Sequence, residues 1–463
     1  MGASLFMHYD RRMPLPRPVA RLLATACFAA LLILGLAARP AGAQLRDSVT
    51  APDSAFDHSA ALAVPPTPLP ARDYVAEMRA GFTPENRSYA RTKVVLRIIR
   101  PLVGVGLALL FLFSGLAATL RDVAHGLGHR RYPRLLVFTI LYAIAMTLFE
   151  LPLSWYDTFA LEHQYGLSNQ TLAAWLGDEG KTLLVTIVTF AVVPILALVY
   201  WAIARSPRRW WAWLATGAIP LVLAGTLLQP LVIDPLFNTF RPLTNRQLEG
   251  RILALAERAQ IPARRVYEVD KSAQTNKINA YVSGFGASQR IVLWDTTLEA
   301  LKDDEILYVM GHEIGHYRLG HIWKGIAFSS AFGFVLLFLA HWLCTLALRR
   351  FGGRWGVAAM DDVASLPLLI ATLGLLAFIA QPLINGYSRQ VETQSDAYGL
   401  EITRDNDAAA RAFLALAREN RSDPEPARWV KFLLYSHPPG LERVRMAIEY
   451  RPWERGEPNR YFK

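Results

Sequence analysis

The sequence predicts a mostly α-helical, polytopic membrane protein carrying a smaller α/β domain outside the membrane. Three observations predict it. Hydrophobic residues make up 53% of the 463, and the mean hydropathy is positive. Long apolar runs are joined by short arginine-rich connections. Residues 234–324 then change to the mixed helical and strand-like patterning of a water-exposed domain. The net charge of +11 could suggest nucleic acid. The arginines, however, are scattered beside apolar runs rather than gathered in one basic stripe, which is the pattern of membrane-flanking charge and excludes a nucleic-acid partner. Cys27 and Cys344 are the only cysteines and both sit in apolar runs. A disulfide framework and thiolate metal ligands are therefore excluded, and any metal must be held by His and carboxylate.

Residues 1–43 begin with Arg11, Arg12, Arg17 and Arg21, continue through an apolar run, and end in Ala41-Gly42-Ala43. That pattern is either a cleavable secretory signal or a first membrane helix, the run being at the lower limit for spanning. Residues 44–97, rich in Ala, Pro and acidic groups, read as a loosely structured extramembrane segment with one helix near 73–80. Apolar runs at 101–120, 135–155, 182–204 and 210–233 form a membrane region over 98–233, and those at 325–348 and 363–388 form a second over 325–388. Each is about 20 residues or more, enough to cross hydrocarbon as a helix. The count is six spans, or seven if the first run is retained. Glu150, near the end of its run, is expected to face the protein interior or a polar cavity rather than lipid. The connections at 121–134, 205–209 and 349–354 are arginine-rich and by alternation share one side. The positive-inside rule puts them in the cytoplasm, and puts 156–181 (read as a loop), 234–324 and 389–463 on the extracytoplasmic face.

Within 234–324, the apolar spacing predicts a helix over 245–259, and strands are expected at 265–269, 281–286 and 290–294. Asp295 is placed to cap the segment leading to Leu298, and Asp303 with Asp304 puts negative charge in the first turn of the helix that follows. That helix carries His312-Glu313-Ile314-Gly315-His316. Residues four apart share a helix face, so His312 and His316 can aim two imidazole nitrogens at one point, which suits one Zn²⁺ per chain. Zinc brings the pKa of a water near neutrality, and Glu313 beside this face can accept the proton. A third ligand is needed. Glu392 is the candidate, with Asp396 one helical turn on to hydrogen-bond a ligand histidine; the competing reading is an exposed acidic helix face. His437 stands before Pro438 and Pro439 and could donate to an oxyanion, although a lone His before Pro is more often a loop residue.

Taken together these blocks resemble the type I CAAX prenyl endopeptidases, integral-membrane zinc metalloproteases. The resemblance runs from about 156 to 445 and rests on Tyr156-Asp157-Thr158-Phe159 with Glu162, Tyr165-Gly166-Leu167-Ser168-Asn169-Gln170-Thr171, Asn279-Ala280-Tyr281, Arg290 to Thr296, the His312 helix, the segment from Glu392 to Asp396, and Ser436-His437-Pro438. It implies a barrel of membrane helices enclosing a water-filled chamber, closed by a gluzincin-like α/β zinc protease domain formed by 234–324 and 389–463. It implies zinc ligands His312, His316 and Glu392, with Glu313 activating water, Asp396 orienting a ligand, and His437 with Arg443 stabilising the intermediate. Asn279-Ala280-Tyr281 would be an extended edge to which a peptide adds as a strand. The expected partners are membrane lipid and a peptide or protein substrate, possibly lipidated; the sequence does not set the oligomeric state. The alternatives are an envelope quality-control protease without prenyl specificity, and a membrane transporter or scaffold with structural zinc.

Overall fold

The computed structural model describes residues 71–462 apart from 128–129, 193–194, 262, 264 and 284–289. The run at 1–43, with its choice between signal and membrane helix, therefore lies outside the described residues. The described chain opens with α1 (Tyr74–Gly81), capped by the Asp73 carboxylate, which accepts from Ala76 N–H at 2.9 Å. Far from being loosely held, α1 buries Tyr74 and Met78 against Phe413, Leu441 and Val444 of the C-terminal region. The Tyr74 hydroxyl also donates to Asp407.

Next comes α2 (Pro84–Phe113), started by proline at its first position and by Thr83, whose hydroxyl accepts from Asn86 N–H. Its start lies inside the segment expected to be extramembrane, and its end cuts the apolar run at 101–120 in two. Gly115, with φ of +77°, makes the turn that only glycine adopts freely, and the rest of the run belongs to α3 (Leu116–Leu127). Three long helices follow: α4 (Arg131–Gln164), α5 (Leu172–Arg205) and α6 (Trp210–Phe237). The stretch 156–181, read as a loop, is mostly helix. The α4 helix runs on through a π-helical turn, Trp155–Ala160, and α5 begins at Leu172 under a Thr171 cap.

The water-exposed domain starts with β1 (Phe240–Pro242), then α7 (Arg246–Arg258), β2 (Val266–Val269), β3 (Ala280–Ser283) and β4 (Arg290–Trp294). The expected strand at 281–286 is described only as far as Ser283. The sheet order is β1-β2-β4-β3, with β2 and β4 parallel and the two edge strands antiparallel to their neighbours. Ile291 and Leu293 of β4 are wholly buried with Ile252 of α7 and with Met310 and Ile314 further along the chain. Two helices lead on, α8 (Asp295–Ala300) and α9 (Asp303–Arg318). Asp295 is inside α8 rather than capping it. Its carboxylate accepts from Thr296 N–H at 2.9 Å in the first turn, and also from Ser272 N–H at 2.9 Å and the Ser272 hydroxyl at 2.5 Å, pinning the preceding loop. Asp303, Asp304 and Glu305 fill the first turn of α9, as the helix dipole favours.

The chain re-enters the membrane region as α10 (His321–Trp355) and returns as α11 (Leu366–Thr403). With α2, α4, α5 and α6 these make six helices, among the described residues, that are long and apolar enough to cross a membrane. Helix α11 does not stop where the apolar run stops. It continues unbroken beyond Ser388 and packs on α9 in the water-exposed domain. The seam is backbone against backbone, because a Cβ at Gly399 would stand 3.0 Å from His312 N and one at Gly315 3.0 Å from Tyr398 Cβ. The fold closes with α12 (Asn406–Glu419), α13 (Arg428–Leu434) and α14 (Gly440–Glu449).

Between the membrane helices lies a cavity of about 590 Å³. Glu150 lines it together with Arg100, Thr139, Ser154 and Glu179 in an otherwise mostly apolar wall, so the carboxylate faces a hollow inside the bundle. On the side away from the water-exposed domain, Arg121 reaches Asp362 at 2.6 Å and the Gly356 carbonyl at 2.8 Å, tying two connections of the same face together.

Candidate metal centre

The centre forms where α9 lies along the polar end of α11. His312 and His316 are one turn apart, and their Nε2 atoms point at each other, 3.1 Å apart. Glu392 completes the cluster, with Oε2 3.3 Å from His312 Nε2 and Oε1 3.5 Å from His316 Nε2. One donor atom from each of these three residues lies within 4.8 Å of the other two. Glu392 Oε2 is buried and makes no hydrogen bond, although two imidazole nitrogens, those of His312 and His437, stand 3.3 Å away. A buried carboxylate oxygen left without a hydrogen bond is costly in itself, but it is available to a divalent cation. The donors are two imidazoles and one carboxylate without sulfur, which fits zinc with a coordination position left for water.

Both histidines of the cluster are held from behind. His312 Nδ1 donates to Asp396 Oδ1 at 2.8 Å, which fixes the tautomer and leaves Nε2 with its lone pair. Asp396 is held in turn by Arg443, whose Nη2 and Nε donate to its two oxygens at 2.6 and 2.9 Å. Asp396 is buried and Arg443 mostly so, with its side chain 15% exposed, and the guanidinium stacks 4.3 Å over the Phe413 ring. Removing one partner of such a pair typically costs about 3–5 kcal/mol, because the other charge is left stranded. Arg443 gives two of its donors to Asp396, which makes it a positioning residue for that carboxylate, and it also lines the cavity beside the cluster.

Electrostatics agree with this geometry. Burial opposes charge on His312, but Asp396 and Glu392 outweigh it and raise its pKa to about 10, a sign of how strongly this point favours positive charge. Burial pushes His316 down to about 3, with the nearby His312 adding to the effect, so its imidazole is neutral as a ligand must be. Burial pushes Glu313 up to about 7, where a carboxylate can both take and return a proton near neutral pH. His437 sits at the rim with its side chain 57% exposed, and its Nδ1 is 2.9 Å from the Ser436 hydroxyl.

A cavity of about 500 Å³ runs past the cluster, and His312, Glu313, His437, Arg443, Asn279 and Ala280 all line it. Tyr281 belongs to the same strand but is not among the lining residues. Asn279 is anchored from both sides: its N–H donates to Thr297 Oγ1 at 2.9 Å, and its carbonyl accepts from that hydroxyl at 2.7 Å. Its side-chain oxygen accepts from Ala280 N–H at 2.8 Å. The β3 strand is an edge of the sheet, and Ala280 at its start lines the cavity.

Three residues in this arrangement were not found from the sequence. His321 has its Nδ1 3.2 Å from His316 Nδ1 and its Nε2 3.0 Å from Gln394 Oε1, so it backs the second ligand as Asp396 backs the first. The signal was a third histidine five residues on, hidden because Gly320, at φ +66°, breaks the helix and the spacing between them. Tyr308 lies buried one turn before His312, and Thr297 carries no pattern that marks it.

Comparison with known proteins agrees with this architecture. Residues 242–451 match the model of peptidase family M48, and residues 77–239 match that of the CAAX prenyl protease N-terminal region, described as five membrane helices. The uncharacterized metalloprotease YhfN of Bacillus subtilis is 38% identical over 344 residues, covering 73% of this chain and 78% of that protein. The human CAAX prenyl protease 1 homolog is 30% identical, covering 67% of this chain and 72% of its own length. The yeast CAAX prenyl protease 1 is 29% identical, covering 79% and 85%. The crystal structure of Ste24p from S. mikatae superposes with a TM-score of 0.69 at 27% identity, covering 80% of this chain and 89% of that one. A buried two-histidine, one-carboxylate cluster beside a sheet edge, mounted on a bundle of membrane helices and matched along most of the chain, leaves one conclusion: the chain belongs to peptidase family M48 and is a multi-pass integral-membrane metalloendopeptidase.

Proposed function

We propose that His312, His316 and Glu392 hold one zinc ion per chain, that residues 234–324 and 389–463 act together as the peptidase domain, and that the substrate is a peptide or protein carrying a lipidated C-terminal region. The observation that carries the reading is the arrival of Glu392, on the far end of a membrane helix, within 3.5 Å of both histidines. When bound, zinc supplies Lewis acidity that polarises the scissile carbonyl and acidifies water. Glu313 takes the proton of the attacking water and returns it to the leaving amine. Ala280 and its neighbours bind the peptide backbone as an added strand, with Asn279 held in place by Thr297. His437 donates from Nε2 to the developing oxyanion. Arg443 and Asp396 keep the His312 tautomer correct, and His321 does the same for His316.

The lipidated substrate is supported by the likeness to proteins named as CAAX prenyl proteases and by the hollow among the membrane helices. Competition between otherwise identical peptides with and without a farnesyl group tests it. A prenyl protease prefers the farnesylated peptide, and equal cleavage would instead make this an envelope quality-control protease.

Charge supports an extracytoplasmic catalytic side, because Arg205, Arg208, Arg209, Arg349, Arg350 and Arg354 sit at the helix ends opposite the metal centre. In a variant lacking Cys27 and Cys344, a membrane-impermeant maleimide added to intact cells should label Glu457→Cys and leave Arg208→Cys unlabelled until the cells are permeabilised. The reverse pattern would put the centre in the cytoplasm.

A further inference from the structure

One short helix of the water-exposed domain turns its aromatic side chains outward. Helix α13, Arg428-Trp429-Val430-Lys431-Phe432-Leu433-Leu434, stands just before His437 in the chain. Val430 is buried in the protein, and Lys431 pairs with Glu442 of α14 at 2.6 Å. Trp429 and Phe432, three residues apart and so on one helix face, are 56% and 60% exposed. Two large apolar side chains next to each other lose several hundred square ångströms of favourable burial if only water covers them, so such a face calls for a partner.

The elements that carry α13 identify the partner. The helix packs on α11 and α2, two of the six membrane-spanning helices. Asn385 Nδ2 donates to the Leu433 carbonyl at 2.7 Å, and the Arg389 guanidinium donates to the carbonyls of Lys431 and Tyr435 at 3.0 and 2.6 Å. Carbonyls at the end of a helix lack partners within it, and the helix dipole draws a cation there. Both anchors stand where the apolar run 363–388 of α11 gives way to polar residues, which puts α13 at the level where hydrocarbon meets water. The same two spans expose apolar side chains at that boundary: Leu383, two residues before Asn385, and Ile99 and Leu102, where the apolar run of α2 begins. An amphipathic helix at this depth, with Trp and Phe outward and Arg428 exposed at its start, has the make-up of a segment lying in the interfacial plane, rings among the upper acyl chains and cation among the headgroups. Arg389 also stands one turn before Glu392 on α11, and His437 Nε2 is 3.3 Å from Glu392 Oε2. The grip on α13 and the place of the His437 imidazole are therefore set from adjoining turns of one helix.

We propose that α13 is an interfacial helix whose Trp429 and Phe432 insert into the bilayer, and that this seat holds His437 at the metal centre, which makes lipid a structural part of the active site. The role of His437 rests on the function proposed above. The test uses the full-length, metal-loaded protein, lacking Cys27 and Cys344, in nanodiscs of phosphatidylcholine and phosphatidylglycerol. A nitroxide on Phe432→Cys is expected to meet dissolved oxygen in preference to a water-soluble nickel chelate, as one on Leu383→Cys does, while one on Glu457→Cys shows the reverse. A Phe432→Cys label that favours the chelate puts the helix in water and overturns the proposal. A label shielded from both reagents puts protein over this face and overturns it too. The double variant Trp429→Ser with Phe432→Ser is expected to lose about 10- to 100-fold in kcat, the scale of a catalytic group displaced by about an ångström, with KM and metal content unchanged. Trp429→Phe with Phe432→Leu keeps the face apolar and should keep most of the rate. A serine pair that cuts at the wild-type rate overturns the proposal, as does one that loses its metal together with its activity, since the rings would then be parts of the domain's own packing. Should His437→Ala itself cut at the wild-type rate, the oxyanion reading beneath has failed instead, and the spin label still decides where the helix lies.

Discussion

Glu313→Gln is expected to keep its metal and lose about 10²- to 10⁴-fold in kcat, the usual worth of a positioned general base. Glutamine fills the same space, so the helix, the neighbouring ligands and the contact with the β3 backbone have no steric reason to move. It cannot, however, accept a proton from water. The carboxyl it replaces is buried, and burial raises its pKa to about 7, so the wild-type group is tuned for proton transfer rather than for ion pairing. Metal stoichiometry by mass spectrometry and cleavage of a quenched peptide decide the matter together. A variant that cuts at close to the wild-type rate removes Glu313 from the chemistry, and one that has lost its metal shows the residue to be structural.

Glu392→Ala should have the opposite signature, with metal and activity lost together. The alanine leaves His312 and His316 alone to hold the ion, and two imidazoles one turn apart do not make a closed zinc site. Metal content in buffered zinc should fall from about one per chain to a small fraction, and peptide cleavage should fall by at least about 10²-fold, in line with the loss of a ligand or of its support. Helix α11 should persist, since its packing on α9 rests on Gly311, Gly315 and Gly399 rather than on the carboxylate. Full metal occupancy in the alanine variant would mean that the third ligand lies elsewhere.

The membrane helices were legible because lipid contact selects long apolar runs, and five of the six runs after residue 97 fall within single long helices, the one at 101–120 being split between α2 and α3. Their ends were not legible, for a physical reason. Hydropathy reports contact with lipid, whereas a helix continues as long as its backbone hydrogen bonds do. Helix α2 extends well before its apolar run because Tyr89 and Lys93 find partners in Glu162 and Asp157 across the bundle. Helix α11 extends beyond its run because Glu392, Asp396 and Glu401 are buried in the water-exposed domain. The His-x-x-x-His spacing announced two ligands, and the one-turn interval from Glu392 to Asp396 offered a third with its support. Arg443 entered only through the resemblance, as a group for the intermediate, and its grip on Asp396 could not be read, because a guanidinium that holds a carboxylate 47 residues away leaves no local pattern.

Because α11 is one uninterrupted helix, no soluble catalytic fragment can be excised from this chain. Cutting at the edge of the hydrocarbon, near Ser388, would sever the segment bearing Glu392 from the span that aims it, while its glycine seam with α9 would lose its rigid mount. The bilayer anchor and the hydrolytic machinery are the two halves of one beam, and purification, engineering or inhibition of this protein has to treat them as a single part.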